Sequence, residues 1–319
     1  MPPVPPIGQR LSEVSTFLGM PAAEPSRLRH GAGDVAIIGI PYGVPYPDPG
    51  LTAGCADAPA AVRRRSERMA AFVDHHDFDV GGPMLPPGSS LRVVDAGDVP
   101  GSPDDGPGNH ERAEAAVRRL LAAGAVPIVL GGDDSIPIPV LRAYDATGPL
   151  WVVQVDAHLD FRHEVAGVRE GYSSPMRRAS ELAYVEGIVQ VGLRGVGSAR
   201  SQDVADALSA GNQLVTAREL RDRGVASAVD RLPSGASVFI AFDCDALDPA
   251  VMPAVSAQSP GGLSYEEAAD LLRGVAQRCR IAGAAFTELV PARDSDERSA
   301  LVVVRLVMRL IAAMARARR

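Results

Sequence analysis

Four apolar runs in this chain end in acids. Residues 126–130 lead into Gly131-Gly132-Asp133-Asp134-Ser135, and 150–155 into Asp156-Ala157-His158-Leu159-Asp160. Residues 237–242 lead into Asp243-Cys244-Asp245-Ala246-Leu247-Asp248, and 281–286 into Thr287-Glu288. Alternate residues of extended chain share a face, so Asp156, His158 and Asp160 point one way together, as do Asp243 and Asp245. Cys244, between two of these acids, turns into packing instead. Gathered carboxylates repel one another unless a cation neutralises them. Carboxylates with one imidazole suit a cation such as Mn²⁺ better than Zn²⁺ held by thiolates. Two of the acids are able to bridge a metal pair about 3.5–4 Å apart, the arrangement of two-metal hydrolases. Each segment alone also reads as turn or cap chemistry; their recurrence behind successive strands favours the metal site.

The elements that must position these acids are legible as alternation. Strand-like runs fall at 35–40, 91–94, 126–130, 150–155, 187–192, 237–242 and 281–286, with helical patterns at 110–123, 265–277 and 296–317 among the stretches between them. Runs that are apolar throughout and separated by helices predict a parallel sheet buried on both faces. In such a sheet, ligands bind at the carboxyl ends of the strands. Residues 1–33 are Pro-rich and read as an arm over the surface or against a neighbouring subunit; 34–319 read as one domain. The stretch 77–90, with Gly81-Gly82-Pro83 and Pro86-Pro87-Gly88, is a loop insertion.

Composition closes several alternatives. All 32 basic residues are Arg, which excludes a P-loop, a Schiff-base enzyme and a protein kinase, each of which needs a Lys. An excess of acids, 39 against 32, argues against nucleic-acid and anionic-membrane partners. Three scattered cysteines form no disulfide framework. With no signal-peptide pattern at the start and no spanning apolar segment, the expected location is the cytoplasm.

In this order the motifs resemble the ureohydrolases, the family of arginase and agmatinase. The likeness runs through Ile38-Gly39-Ile40-Pro41-Tyr42-Gly43, Ala58-Pro59 with Val62-Arg63, Asp95-Ala96-Gly97-Asp98, and the four acid segments. It continues in Ser174-Pro175-Met176-Arg177, Gly192-Leu193-Arg194, Pro260-Gly261-Gly262-Leu263 and Glu288-Leu289-Val290-Pro291. Its flavour is agmatinase-like. The resemblance implies a three-layer α/β/α sandwich around a mostly parallel sheet, a homotrimer or homohexamer, and two divalent ions, Mn²⁺ or alternatively Ni²⁺. It implies that Asp156 and Asp243 bridge the metals, that Asp160 completes one shell, and that His158 and Asp245 complete the other. A metal-bridging hydroxide would then attack a guanidinium carbon held by Glu288, releasing urea and an amine.

Two positions depart from the family pattern. Asp134 stands where the family has a metal-binding His; it either ligates or caps the following helix. Tyr172 stands where agmatinase-like members carry a His regarded as the proton shuttle; it either serves as a poor shuttle or packs at the pocket mouth. His163 is the candidate substitute, or else an exposed loop residue. His30, His75, His76 and His110 are structural or solvated. In the loop 161–171, Arg162 or Arg169 would favour a guanidino acid and Glu164 or Glu170 would favour agmatine, unless all four are solvated. The alternatives are a related amidine or formimino C–N hydrolase, and a weakened subunit of a mixed oligomer.

Overall fold

The computed structural model describes residues 15–23, 34–44, 46 and 53–317. Among the described residues, eight strands form one sheet: β1 (Val35–Ile40), β2 (Val93–Asp98), β3 (Val126–Gly131), β4 (Leu150–Val155), β5 (Val185–Leu193), β6 (Gln213–Thr216), β7 (Ser237–Asp243) and β8 (Arg280–Thr287). They lie in the order β2-β1-β3-β8-β7-β4-β5-β6 and every neighbouring pair is parallel. Both faces are apolar because alternate residues of each strand enter different cores. Val35, Ile37, Ile128, Val153, Ile240 and Phe242 belong to one core. Ala36, Ile38, Val129, Val152, Phe239 and Ala241 belong to the other.

Helices close each face, as the expected α/β/α sandwich requires. On the first lie α1 (Ala58–Ala70), α6 (Ala217–Arg223), α7 (Ala226–Val229), α8 (Tyr265–Arg278) and α9 (Arg298–Ala317); on the second lie α2 (Gly106–Ala122), α3 (Pro137–Arg142), α4 (Pro175–Ser180) and α5 (Ser201–Ser209). Ser264 caps α8 through a reciprocal box with Glu267. The Arg-studded α9 turns Val303, Val304, Leu306, Val307, Leu310 and Ile311 into its own chain's core. Among the described residues, no helix is long and apolar enough to cross a membrane.

Three sequence expectations change. The strand expected at 91–94 begins at Val93 and continues through Asp95 to Asp98. A carboxylate is tolerated in the sheet because Arg63 neutralises it, donating from Nε and Nη2 to Asp95 at 2.9 Å each and pairing with Asp98. Strand β6 was missed: only Val215 of its four residues is fully buried, so the edge strand lacks an apolar run. Finally, residues 15–23 of the expected arm dock on their own chain. Phe17 and Leu18 are buried, Phe17 N donates to Asp95 Oδ2, and Leu18 N donates to Ser66 Oγ. The rest of the arm, with His30, lies outside the described residues.

Arg63 and Asp95 are each about 1 % exposed. Removing one member of a buried pair strands the other's charge, at a cost of about 3–5 kcal/mol. Arg63→Met is therefore expected to lower unfolding stability by about that amount in a urea titration. A loss below about 1 kcal/mol would show that Asp95 and Asp98 find other compensation.

Candidate metal centre

The strand order decides which acids meet. β3, β8, β7 and β4 are consecutive in the sheet, although the chain visits them as third, eighth, seventh and fourth. Their carboxyl ends deliver Asp134, Glu288, Asp243, Asp245, His158 and Asp160 to one cleft of about 290 Å³. Two sets of residues each bring donor atoms within 4.8 Å of one another: Asp134, Asp156 and Asp243 in one, and Asp156, His158 and Asp245 in the other. Asp156 belongs to both.

Each donor is aimed by a local contact. His158 donates from Nδ1 toward Asp245 Oδ2 at 3.0 Å and lies 3.5 Å from Asp156 Oδ1. The backbone N–H of His158 donates to Asp156 Oδ1, and that of Asp245 to Asp243 Oδ1. Asp160 takes a left-handed backbone conformation, φ 46°, which for a non-glycine residue is strained and characteristic of functional sites. It lines the cleft and hydrogen-bonds Asp156, but stands outside both donor groups.

Asp134 does not cap the next helix. The N-cap of α3 is Ile136, which makes no side-chain cap. Asp134 Oδ1 instead accepts from Thr287 Oγ1 at 2.6 Å, while Oδ2 is buried without a hydrogen-bond partner. The capping alternative is thus overturned; Asp133, one residue earlier, makes the turn contact by accepting from Ser135 N.

The electrostatics fit a bound cation. Burial, then repulsion from Asp156, pushes the Asp134 and Asp160 carboxyls well above their ordinary range; burial and then Asp245 do so for Asp243. Burial and Asp156 raise Asp245 to about 6. Asp156 moves the other way: burial opposes its charge, but hydrogen bonds with His158 and Asp160 hold it low. Burial would lower the His158 pKa, yet hydrogen bonds to Asp156 and Asp245 lift it to about 11. Nearby Arg194 gives its guanidinium to the carbonyls of Asp245, Ala246, Leu247 and Ser259 rather than to a carboxylate. Five aspartates thus gather around one imidazole, and one of them, Asp134, keeps a buried oxygen without a hydrogen-bond partner. Mn²⁺-class divalent ions match these donors.

Glu288 stands apart from both donor groups while lining the same cleft. Its φ is 66°. Oε1 accepts from Asp134 N at 3.0 Å, and Ser256 also hydrogen-bonds the carboxylate. Cys55 Sγ lies 3.8 Å from Oε2. Burial and the Asp133 charge raise Glu288 to about 8, the direction that a nearby cation would oppose. Cys244 is buried in the core, turned away as expected.

The remaining sequence candidates separate. Tyr172 lines the cleft and packs on Tyr46, ring centroids 4.3 Å apart. His163 is exposed and does not line the cleft, so the geometry does not supply it as a substitute for a shuttle histidine. Nor do the four loop charges line the cleft. Arg162 donates to Ser198 O, and Glu170 pairs with His110 and Arg142, which pull its carboxyl down to about 2; Glu164 and Arg169 are exposed. Ser173, Ser198, Ser256 and Gln258 occupy the wall instead.

Sequence reasoning missed an amide relay behind the acids. Gln154 Nε2 donates to Asp156 at 2.6 Å and to Asp160 at 3.2 Å; Gln190 donates to Gln154, and Asn212 to Gln190. The signal was present as one amide in each of two otherwise apolar runs, 150–155 and 187–192. A polar group placed there must find a buried partner.

Close approach also shapes the imidazole side. A Cβ added to Gly197 would sit 2.5 Å from His158 Cδ2. Gly197→Ala is expected to displace the ring and weaken one metal site about tenfold, with little change in unfolding stability without metal. Mn²⁺ titration of the two proteins checks this, and equal affinities would show that the 195–199 loop yields.

An open parallel sheet with a two-metal donor set at its carboxyl ends defines the class of protein. The model of the arginase family matches residues 33–313. The chain is 30% identical to guanidinopropionase of Pseudomonas aeruginosa, covering 96% of this chain and 93% of that protein. It superposes on proclavaminate amidinohydrolase of Streptomyces clavuligerus with a TM-score of 0.82 at 27% identity, covering 97% and 100% of the two chains. It superposes on Trypanosoma cruzi formiminoglutamase, solved with Mn²⁺, with a TM-score of 0.76 at 25% identity over 95% and 99%. The chain belongs to the arginase family.

Proposed function

We propose that this chain is a metal-dependent amidinohydrolase, converting a guanidinium compound and water into urea and an alkylammonium product. The observation that carries the reading is the division of labour in the cleft. Two donor groups share Asp156, and Glu288 faces the same space without belonging to either. Asp156 and Asp243 would be shared by the two ions, with Asp134 and Asp160 serving one and His158 and Asp245 the other. When bound, the metal pair lowers the pKa of water enough to furnish a nucleophile at neutral pH. Glu288 receives the planar guanidinium through charge-assisted hydrogen bonds and holds its carbon toward the acids. Tyr172 lines the wall of the same cleft.

The test is urea release from agmatine, guanidinobutyrate, guanidinopropionate, arginine and guanidine, with formimino compounds assayed for formamide and ammonia, using protein loaded with Mn²⁺ or Ni²⁺. Urea from one guanidino compound is the expected result and names the substrate. Formamide or ammonia alone would replace the proposal with a formimino hydrolase. Two bound metals with no product from any compound would overturn it.

A further inference from the structure

Position 134 carries a carboxylate whose direction has a visible cause. A carboxylate on a turn has two equivalent oxygens and a freely rotating end, so something must choose the oxygen that faces the acids. Here Thr287 Oγ1, about 1 % exposed with its residue, donates to Oδ1 at 2.6 Å. Its other acceptor, Phe242 O, is 3.4 Å away; with one proton to give, the hydroxyl is committed to Asp134. Oδ2 is left buried without a hydrogen-bond partner, and Asp134 is one of the residues whose donors cluster with those of Asp156 and Asp243.

The hydroxyl itself is held. Thr287 pairs in register with Asp243 across β7 and β8, so the strand pair that presents one donor also presents the group that aims another. A Cβ on Gly131 would fall 2.8 Å from Thr287 Cγ2, so the methyl fills the space that Gly131 leaves open. A β-branched side chain wedged at its methyl has little freedom at χ1.

We infer that Thr287 is a positioning residue that reserves Asp134 Oδ2 for metal and makes Asp134 a one-oxygen ligand. The inference rests on the metal-dependent reading above, and metal binding tests it without any substrate. Outer partners of ligands typically contribute ten- to a hundredfold to metal affinity. Metal-stripped full-length protein is titrated with Mn²⁺, following affinity, stoichiometry and the metal-induced rise in Tm. Thr287→Val keeps the shape and removes the donor; it is expected to weaken one of two sites about ten- to a hundredfold, leaving the other unchanged. Thr287→Ser keeps the donor and is expected to bind like the parent. Thr287→Ala against Thr287→Ser isolates the hydroxyl again, without a second methyl beside the carboxylate, should Thr287→Val fold poorly. In an Asp134→His background, Thr287→Val is expected to change affinity less than twofold, because its target is gone.

Parent-like affinity at both sites in Thr287→Val and Thr287→Ala would overturn the inference. So would a Thr287→Ser protein as weak as Thr287→Ala, or an equal loss in the Asp134→His background; both would mark Thr287 as packing. A parent chain that binds neither Mn²⁺ nor, in the same titration, Ni²⁺ would overturn this inference and the reading beneath it together. Two bound ions without turnover would overturn only the function.

Discussion

Asp156→Asn is expected to remove both metal ions at micromolar free Mn²⁺ and to lower urea release at least about a thousandfold, equivalent to about 4 kcal/mol of transition-state stabilisation. Among the described residues, Asp156 belongs to both donor groups. It is also the member whose charge the protein supports most, through His158, Gln154 and the backbone N–H of His158. Asparagine has nearly the same shape but offers one neutral acceptor oxygen, so bridging through two charged oxygens is lost. Metal analysis after gel filtration and a urea assay decide the matter. Two ions retained with near-parent turnover would show that Asp156 is not the shared ligand.

Glu288→Gln is expected to do the reverse: two ions stay bound, while kcat/KM falls about a thousandfold. Oε1 is tied to the backbone N–H of Asp134, so a glutamine turns its amide oxygen to that donor. Its NH₂ then faces the guanidinium, setting donor against donor where a charged acceptor stood. Breaking one side of a buried, charge-assisted pair costs about 2–5 kcal/mol, which spans the predicted effect. Loss of metal alongside activity would instead make Glu288 part of the metal shell. Together the two variants separate holding metal from holding substrate.

Much of the fold was legible because parallel strands buried on both faces leave a plain mark. Residues 35–40 and 150–155 are apolar almost throughout, and the strands occupy those residues. Where burial is partial or charge is compensated at a distance, the mark fades. β6 is an edge strand with one fully buried residue, and β2 carries an acid that is acceptable only beside Arg63. In the site, the acids were visible because carboxylates are conspicuous at the ends of apolar strands. Gln190 and Thr287 were not, because each takes its role from a partner on a different strand, and Gln154 was not, because it is an amide in an otherwise apolar run whose orientation Gln190 sets from β5.

By itself, then, the sequence determined the donor types, their spacing along each strand end, and the alternation of strand and helix that makes a doubly covered sheet. These depend on local geometry, the two-residue repeat of extended chain above all. Only the tertiary structure decided that β8 and β7 lie between β3 and β4, which brings Asp134, Glu288, Asp243 and His158 to one cleft and Asp156 into both donor groups. It also decided that Asp134 answers to Thr287 rather than to a helix end, that His163 stays outside the cleft, and that Arg162 and Glu170 are committed elsewhere. Such outcomes turn on which neighbours arrive across the sheet. Side-chain contacts act over a few ångströms, whereas the partners here are separated by up to 153 residues of chain.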